Sequence, residues 1–458
     1  MDTNLSKLSD ATLSVHARSR AVSITLTWGA LLCGMIGIIL TFYPGHMSYD
    51  SLDQLTQARS GSFSLWHPPI MSFFWSFLLP NTLGPLPLLV LQAALFAGSL
   101  MLIAVLLTKQ LSMRLFVFFG LLFFPAIFVQ PGMIWKDTQL SAVLLLATSL
   151  LLLQQRTQRI SIAMFVVAML ALLYGTSVRL NAFPAVVPLL LWQLSICFTA
   201  SSRPIRWYYY TVFPLACACM LLLSSIITNA LVSEDSPPPS QQIKIHDLAA
   251  LSVASQSVLL PTSVQKNPIT IERLSKIYFP SSNNALIFGG DIQLLTDPQA
   301  LKELDALWKQ AILASPLEYL RHRKAFLRDL ISYNTPSVCY PWHDGIDKNN
   351  FGLEVTHNQL SVDILAFLKS LKNSFLFRGW LYLLLAAVLC LVQSIIALKK
   401  QRMQPSLYLS LSALCYGVPY FFVGTSCDFR YLYWVVIASL LSLLLFLFEQ
   451  SSERLEAL

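Results

Sequence analysis

Hydrophobic residues fill unbroken stretches of about 20 positions along most of the chain, with polar residues gathered between them. The stretches fall at 22–42, 86–108, 112–131, 138–154, 160–178, 181–199, 208–230, 375–397, 405–425 and 431–449. Each predicts a membrane-crossing helix, ten in all. Lipid offers the backbone no hydrogen-bond partners, so spanning segments are helices or closed barrels. The runs are continuous rather than alternating, which excludes a barrel. The predicted fold class is therefore an all-α polytopic membrane protein.

Three segments depart from this pattern. In "SYDSLDQLTQA", Ser48 suits a helix N-cap. The 3.6-residue period then puts Leu52 and Leu55 on one face and Asp50, Asp53 and Gln57 on another. That predicts a short helix over 48–59, lying on the membrane with its carboxylates toward water or a cavity. "HPPIMSFFWSFLLP" at 67–80 is short and proline-flanked, which predicts an interfacial or re-entrant piece rather than a crossing. The stretch 231–374 opens on a Pro/Ser-rich linker, "SEDSPPPSQQ". It continues with helical periodicity in "DPQALKELDALWKQAILASPLEYLRHRKAFLRDLIS", so a small helical domain is expected there.

Composition supports the membrane assignment. Of 458 residues, 55% are hydrophobic and 12% charged. A soluble protein carries roughly twice that charge. The net charge of +8 resides in short basic clusters between apolar runs, which favours lipid over nucleic acid as the partner. With the N-terminus in the cytoplasm, Lys7, Arg18, Arg20, Lys109, Arg114, Arg156, Arg159, Arg203, Arg206, Lys399, Lys400 and Arg402 all fall inside. The expected organisation is a cytoplasmic N-terminus (1–21), an N-terminal transmembrane core (22–230), an extracytoplasmic domain (231–374), C-terminal transmembrane helices (375–450) and a cytoplasmic tail (451–458). The first run exceeds a signal-peptide core and lacks an A-x-A site, so it reads as a signal anchor.

Charge then marks one membrane face. Lys136 and Asp137 open the run in "WKDT". Arg179 and Asn181 sit in "VRLNAFP", and Asp428 and Arg430 in "CDFRYLY". Ionisable groups at such places are costly and are usually paired or functional. Taken singly, each could be a snorkelling anchor or a local ion pair, and Tyr431, Tyr433 and Trp434 read as interfacial aromatics. Together they place carboxylates and cations in one plane on the outer side. Cations at headgroup depth suit a lipid phosphate, and a neighbouring carboxylate suits removal of a proton from an attacking hydroxyl.

The order of first span, outer loop with Asp50, "HPP" at His67 to Pro69, second carboxylate at Asp137 and a large outer domain resembles the GT-C superfamily of membrane glycosyltransferases. In plan it is similar to protein mannosyltransferases and aminoarabinose transferases of lipid A. The resemblance covers mainly 22–200 and implies a sugar moved from a polyprenyl-phosphate carrier to a lipid or cell-surface polysaccharide. It implies Asp50 as catalytic base, with Asp53 as the near alternative, and Asp137 as a second acidic site. Substrate-binding residues would be Asp53, His67, Lys136, Arg179, Asn181 and Arg430. The chain departs from the superfamily in having "KD" where some relatives carry a "DE"-like pair, and in placing its large outer domain between the seventh and eighth spans. Rival readings are a lipid or polysaccharide transporter or flippase, and a polysaccharide polymerase or ligase. Outer loops lacking an N-x-S/T sequon lean toward a bacterial inner membrane with the site facing the periplasm.

No metal or other cofactor is expected as obligatory, although Asp50 and Asp137 could share a divalent cation. Six cysteines (33, 197, 217, 219, 390 and 415) lie in apolar runs and read as buried small hydrophobes. Cys339 and Cys427 fall in loops on the same side, and the sequence leaves their pairing open. "RHRK" at 321–324 reads as a solvated helix face with lipid phosphate as the alternative, and "CYPWHDGID" as a sugar-binding loop or a plain one.

Overall fold

The computed structural model describes residues 2–78, 84–199, 206–234, 236–333, 339–356 and 358–456. Pro80 and Arg203 lie outside the described residues. The helices run in the order α1 (Asp2–Phe42), α2 (Tyr49–Ser60), α3 (Ile70–Leu78), α4 (Leu86–Leu107), α5 (Leu111–Leu122), α6 (Pro125–Phe128), α7 (Lys136–Thr157), α8 (Ile162–Val178), α9 (Phe183–Thr199) and α10 (Arg206–Leu231). They continue with α11 (Gln241–Ser255), α12 (Ile271–Ile277), α13 (Asn284–Phe288), α14 (Pro298–Ala314), α15 (Pro316–Leu330) and α16 (Gln359–Leu371). The last are α17 (Gly379–Lys400), α18 (Pro405–Gly417), α19 (Tyr420–Val423) and α20 (Tyr433–Glu456).

Seven helical segments among the described residues are long and apolar enough to cross a membrane: Arg20–Phe42, Leu86–Leu107, Lys136–Thr157, Tyr210–Leu231, Gly379–Lys400, Pro405–Val423 and Phe429–Ser451. The chain is an integral multi-pass membrane protein. Three of the ten expected spans look different from a full crossing. The stretch 112–131 is broken into Leu111–Leu122 and Pro125–Gly132, bent by 65°. Phe124 is extended and Pro125, which has no N–H to give, starts a new turn. The helices Ile162–Val178 and Phe183–Phe198 are shorter apolar helices. At nine residues, α3 reaches roughly 14 Å at 1.5 Å per residue, far short of a bilayer core.

The main core is the interior of the helix bundle, where α7 is the most enclosed of the spanning helices. Its wide use of Ala, Leu and Ser lets helices approach closely. Hydroxyls and amides in it pair across helices: Gln92 with Gln139, Gln154 with Gln193, and Ser410 with Gln393. Cys33 and Cys219 are exposed on the flanks of their helices rather than buried. A crossing helix has lipid on its outer flank, so apolar side chains need no protein cover there.

Segment 231–374 caps one end of the bundle. It has its own apolar core, from Ile245 and Leu248 to Leu295 and Leu304. Phe326, Leu330, Trp342, Leu365 and Leu368 extend the bundle core into the cap. The periodic stretch is two helices, α14 and α15, meeting at Ser315–Pro316. His322 and Arg323 of "RHRK" are buried, contrary to the solvated face expected from sequence. The reason is Asp247, wholly enclosed on α11. It takes Arg323 Nη2 at 2.7 Å, His322 Nε2 at 3.2 Å and Trp308 Nε1 at 2.8 Å. Arg321 and Lys324 are exposed, and Arg321 is paired with Glu318.

Candidate active site

The capped end places α2 by backbone pairing. After α1 the chain runs beside two other strands of loop: His46 pairs with Met133 and Met47 with Ile346. His46 N donates to Gly132 O at 2.9 Å, and Ile134 N donates to His46 O at 2.9 Å. Gly132 is required here, since a Cβ would sit 2.1 Å from the Phe42 ring. Ser51 Oγ then ties α2 to Ile134 O at 2.6 Å. Ser48 holds the N-cap position, but its hydroxyl accepts from Trp135 Nε1 at 2.8 Å instead of capping. Leu52 and Leu55 are buried as expected. Gln57 is also buried, turned inward to donate to Asp53 Oδ2 at 2.7 Å.

Asp50 and Arg430 form the centre of the site. Arg430 Nη2 lies 2.7 Å from Asp50 Oδ2 and 3.1 Å from Asp428 Oδ2. Its Nε donates to Asp428 Oδ2 at 3.1 Å and lies 3.9 Å from Asp137 Oδ2, close enough for charge attraction alone. The guanidinium lies over the Trp135 ring, 4.6 Å from its centroid, a favourable stacking for a cation excluded from water. Asp137 is fully enclosed and its other oxygen is paired with Arg179 Nη1. Arg179 Nε reaches Asn181 Oδ1 at 3.1 Å, and Arg179 stacks on Tyr431 at 4.7 Å.

His67 links Lys136 to the carboxylates. Lys136 Nζ has only hydrogens to offer, and it donates to His67 Nδ1 at 3.0 Å. His67 Nε2 therefore carries the ring proton, aimed between Asp50 Oδ1 at 3.8 Å and Asp53 Oδ2 at 3.9 Å. Burial, and then the Lys136 charge, push the His67 pKa down to about 3, so the ring is neutral at physiological pH. For Asp50, burial opposes ionisation, but the Arg430 guanidinium, helped by the Lys136 charge, outweighs it and holds the carboxyl well below the usual range. Asp53 differs: burial raises its pKa against the Gln57 hydrogen bond, and the Asp50 charge adds to the rise.

All eight residues singled out in the sequence thus meet in one cluster. Asp50, His67, Lys136, Arg179, Asn181 and Arg430 line a cavity of about 1240 Å³ between the bundle and its cap. Asp53 and Asp137 stand behind that lining, in contact with it through His67 and the two arginines. Trp135 and Tyr420, which the sequence reading did not single out, join the same wall. A tryptophan directly before the "KD" pair was the available signal for the first; nothing local marks Tyr420. Tyr433 and Trp434 are not interfacial. Both are fully buried, because the Tyr433 hydroxyl finds Pro341 O at 3.1 Å and the Trp434 indole finds Ser412 Oγ at 2.9 Å. Among the described residues, no group of three or more His, Cys, Asp or Glu is placed to hold a metal ion.

This chain matches no protein family, no curated protein and no solved structure.

Arg430 is delivered by a segment that the cap holds residue by residue. Gly424 O accepts from Arg323 Nη1 at 2.8 Å, and Thr425 O accepts from Asn283 N at 2.9 Å. Ser426 pairs with Ser282, and Cys427 is disulfide-bonded to Cys339. Cys339 leads directly into the "YPWHDGID" loop, whose Trp342, His343 and Asp344 also line the cavity. Gly424 is another enforced glycine: a Cβ would meet the Phe326 ring at 2.2 Å.

Proposed function

We propose that this protein is a membrane glycosyltransferase that moves a sugar from a polyprenyl-phosphate carrier to a lipid or cell-surface polysaccharide. The observation that carries this reading is the convergence of Asp50, Lys136, Arg179 and Arg430 on one cavity at one end of the bundle. The helix ends opposite that cavity carry Lys109, Arg156, Lys399 and Lys400. By the positive-inside rule those ends are cytoplasmic, and the site faces outward, into the periplasm of a bacterial inner membrane. In this reading the bent pair and the two shorter apolar helices complete ten crossings in a GT-C-like plan.

The acceptor hydroxyl oxygen bonds to the anomeric carbon, and the bond from that carbon to the phosphate oxygen breaks. The hydroxyl proton passes to the Asp50 carboxylate. The electron pair leaves with the phosphate, whose second negative charge is met by Lys136, Arg179 and Arg430. Before substrate arrives Arg430 neutralises Asp50. A donor phosphate that takes over this guanidinium leaves Asp50 free to accept a proton. His67 Nε2 stands 3.8 Å from Asp50 Oδ1, beyond hydrogen-bond reach, so the contact that orients the resting carboxylate is the one from Arg430.

A transporter would place its ionisable groups at mid-membrane on broken helices. Here they gather at the helix ends: Lys136 and Asp137 in the first turn of α7, Arg179 just after α8, and Arg430 just before α20. The test is the purified protein in nanodiscs supplied with a polyprenyl-phosphate sugar. Release of polyprenyl phosphate by the wild type and its loss in Asp50→Asn supports the reading. Equal release by both removes Asp50 from the chemistry.

A further inference from the structure

The cavity is far larger than a phosphate and one sugar require, and its two ends differ in chemistry. At the bundle end it is ionic, with Asp50, Lys136, Arg179 and Arg430, and the later part of the cap adds Asp344, Asp347, Lys369 and Lys372. Under the first half of the cap its lining is Pro239, Ser240, Gln242, Ile243, Asn283, Asn284 and Phe288, without one ionisable side chain. The cap is not short of charge. Lys244, two residues after Gln242, is turned away to Asp305 at 2.8 Å, and Arg273 is committed to Asp291 at 2.7 Å. The neutrality belongs to this wall in particular.

Its remaining groups suit a sugar. Trp66 and Phe288 meet edge to face, with centroids 6.3 Å apart, and the Phe288 ring is 68% exposed. An aromatic ring left open to a cavity covers the C–H face of a pyranose. Carboxamides donate and accept together, as paired sugar hydroxyls require. Asn283 is anchored, its Nδ2 donating to Gln242 Oε1 at 3.2 Å and its N–H to Thr425 O. That orients Gln242 at the cavity wall, and Asn284 follows on the same turn with its carboxamide exposed. An anion would find no cation on this wall, and a cation no carboxylate.

We infer that this wall is the acceptor subsite, and that it takes an uncharged saccharide. The inference rests on the transferase reading for the word acceptor, while the saccharide subsite stands on its own chemistry. The acceptor sugar lies across Phe288 and Trp66, its hydroxyls on Gln242 and Asn284, with one hydroxyl reaching Asp50 in the ionic half.

The test is saturation-transfer difference NMR on the full-length protein in nanodiscs. The probes are neutral oligosaccharides of hexose, N-acetylhexosamine and 6-deoxyhexose, matched uronate-bearing and phosphorylated oligosaccharides, and blocked tripeptides. The inference expects signal from at least one neutral oligosaccharide, about tenfold weaker binding in Phe288→Ala and Asn284→Ala, and little change in Arg430→Ala. Both loss variants are at exposed side chains, so folding is retained. In turnover with the best-binding oligosaccharide, Phe288→Ala raises its KM about tenfold and leaves the donor KM unchanged. Binding confined to charged oligosaccharides or to peptides overturns the inference, as does no binding at all. Neutral binding that depends on Phe288, without any transfer, keeps the saccharide subsite and fails the transferase reading instead.

Discussion

The Asp50 carboxylate and the Arg430 guanidinium meet at 2.7 Å, one carried on the helix that follows the first span and the other just before the last helix. This contact joins the two ends of the chain at the site. Arg430 is also stacked on Trp135 and held by Asp428, so its place is fixed from three sides. Replacing Arg430 with Lys keeps the charge but loses the planar fork and the stacking. We expect Arg430→Lys to lower kcat about a hundredfold. Retention of full kcat would show that charge alone suffices.

Arg323 acts on the site without touching it. Its guanidinium links Asp247 to the carbonyl of Gly424, in the segment that leads to Arg430. Breaking a buried pair from one side strands the other charge, at about 3–5 kcal/mol, whereas removing both partners together is far milder. Arg323→Met and Asp247→Leu should each destabilise strongly, and the double variant much less than their sum. Hydrogen exchange in 424–432 should rise in Arg323→Met. Unfolding free energies that simply add, with exchange there unchanged, would contradict this.

The disulfide performs the same task covalently. Cys339 and Cys427 tie the loop bearing Trp342 and His343 to the segment bearing Asp428 and Arg430. Such a bond persists in an oxidising compartment, which is where the proposed outward-facing site would lie. These two thiols should resist alkylation until a reductant is added. Cys339→Ser with Cys427→Ser should lose roughly 2–4 kcal/mol of stability and much of the activity. Immediate alkylation of both thiols in freshly isolated membranes would place this end of the protein in a reducing compartment.

Acid should weaken the fold before it touches the carboxylates. Burial, reinforced by the neighbouring Lys136 and His322 respectively, lowers both His67 and His246 to about 3. The unfolded chain therefore binds protons first as pH falls. Stability is level above about pH 6.5 and declines from there toward pH 3, by about 2 kcal/mol per histidine at pH 5. Asp50 and Asp247, both held below the ordinary carboxylate range, lose their contribution only below about pH 4. Thermal unfolding in detergent at pH 7.5 and pH 5 should show a drop that His246→Gln reduces. An unchanged drop would mean that this imidazole is protonated in the folded protein.

Much of this architecture was legible because lipid imposes simple rules. Apolar runs marked the helices, and ionisable residues at their ends marked the site: all eight candidates converge. Less was legible where partners are distant in sequence. Nothing near Arg323 announces Asp247, so a basic tetrad reads as solvated when two of its members are buried. The break at Pro125 was hidden by uniform hydrophobicity, because composition does not register a missing N–H. Tyr433 and Trp434 resemble interfacial anchors in any one-dimensional reading, since their partners Pro341 and Ser412 come from other elements.

If Asp50 takes a proton while a sugar leaves its lipid phosphate, loss of its carboxylate stops transfer in the living cell. The most direct measurement is made in the host: delete the gene, restore it with wild type, Asp50→Asn or Arg430→Ala, and follow lipids and surface glycans by mass spectrometry. Deletion should remove one sugar-sized mass from a surface glycan or lipid while the polyprenyl-phosphate donor accumulates. Wild type restores the mass, and the two variants, inserted at wild-type levels, do not. Glycans unchanged by deletion, or full restoration by Asp50→Asn, would contradict it.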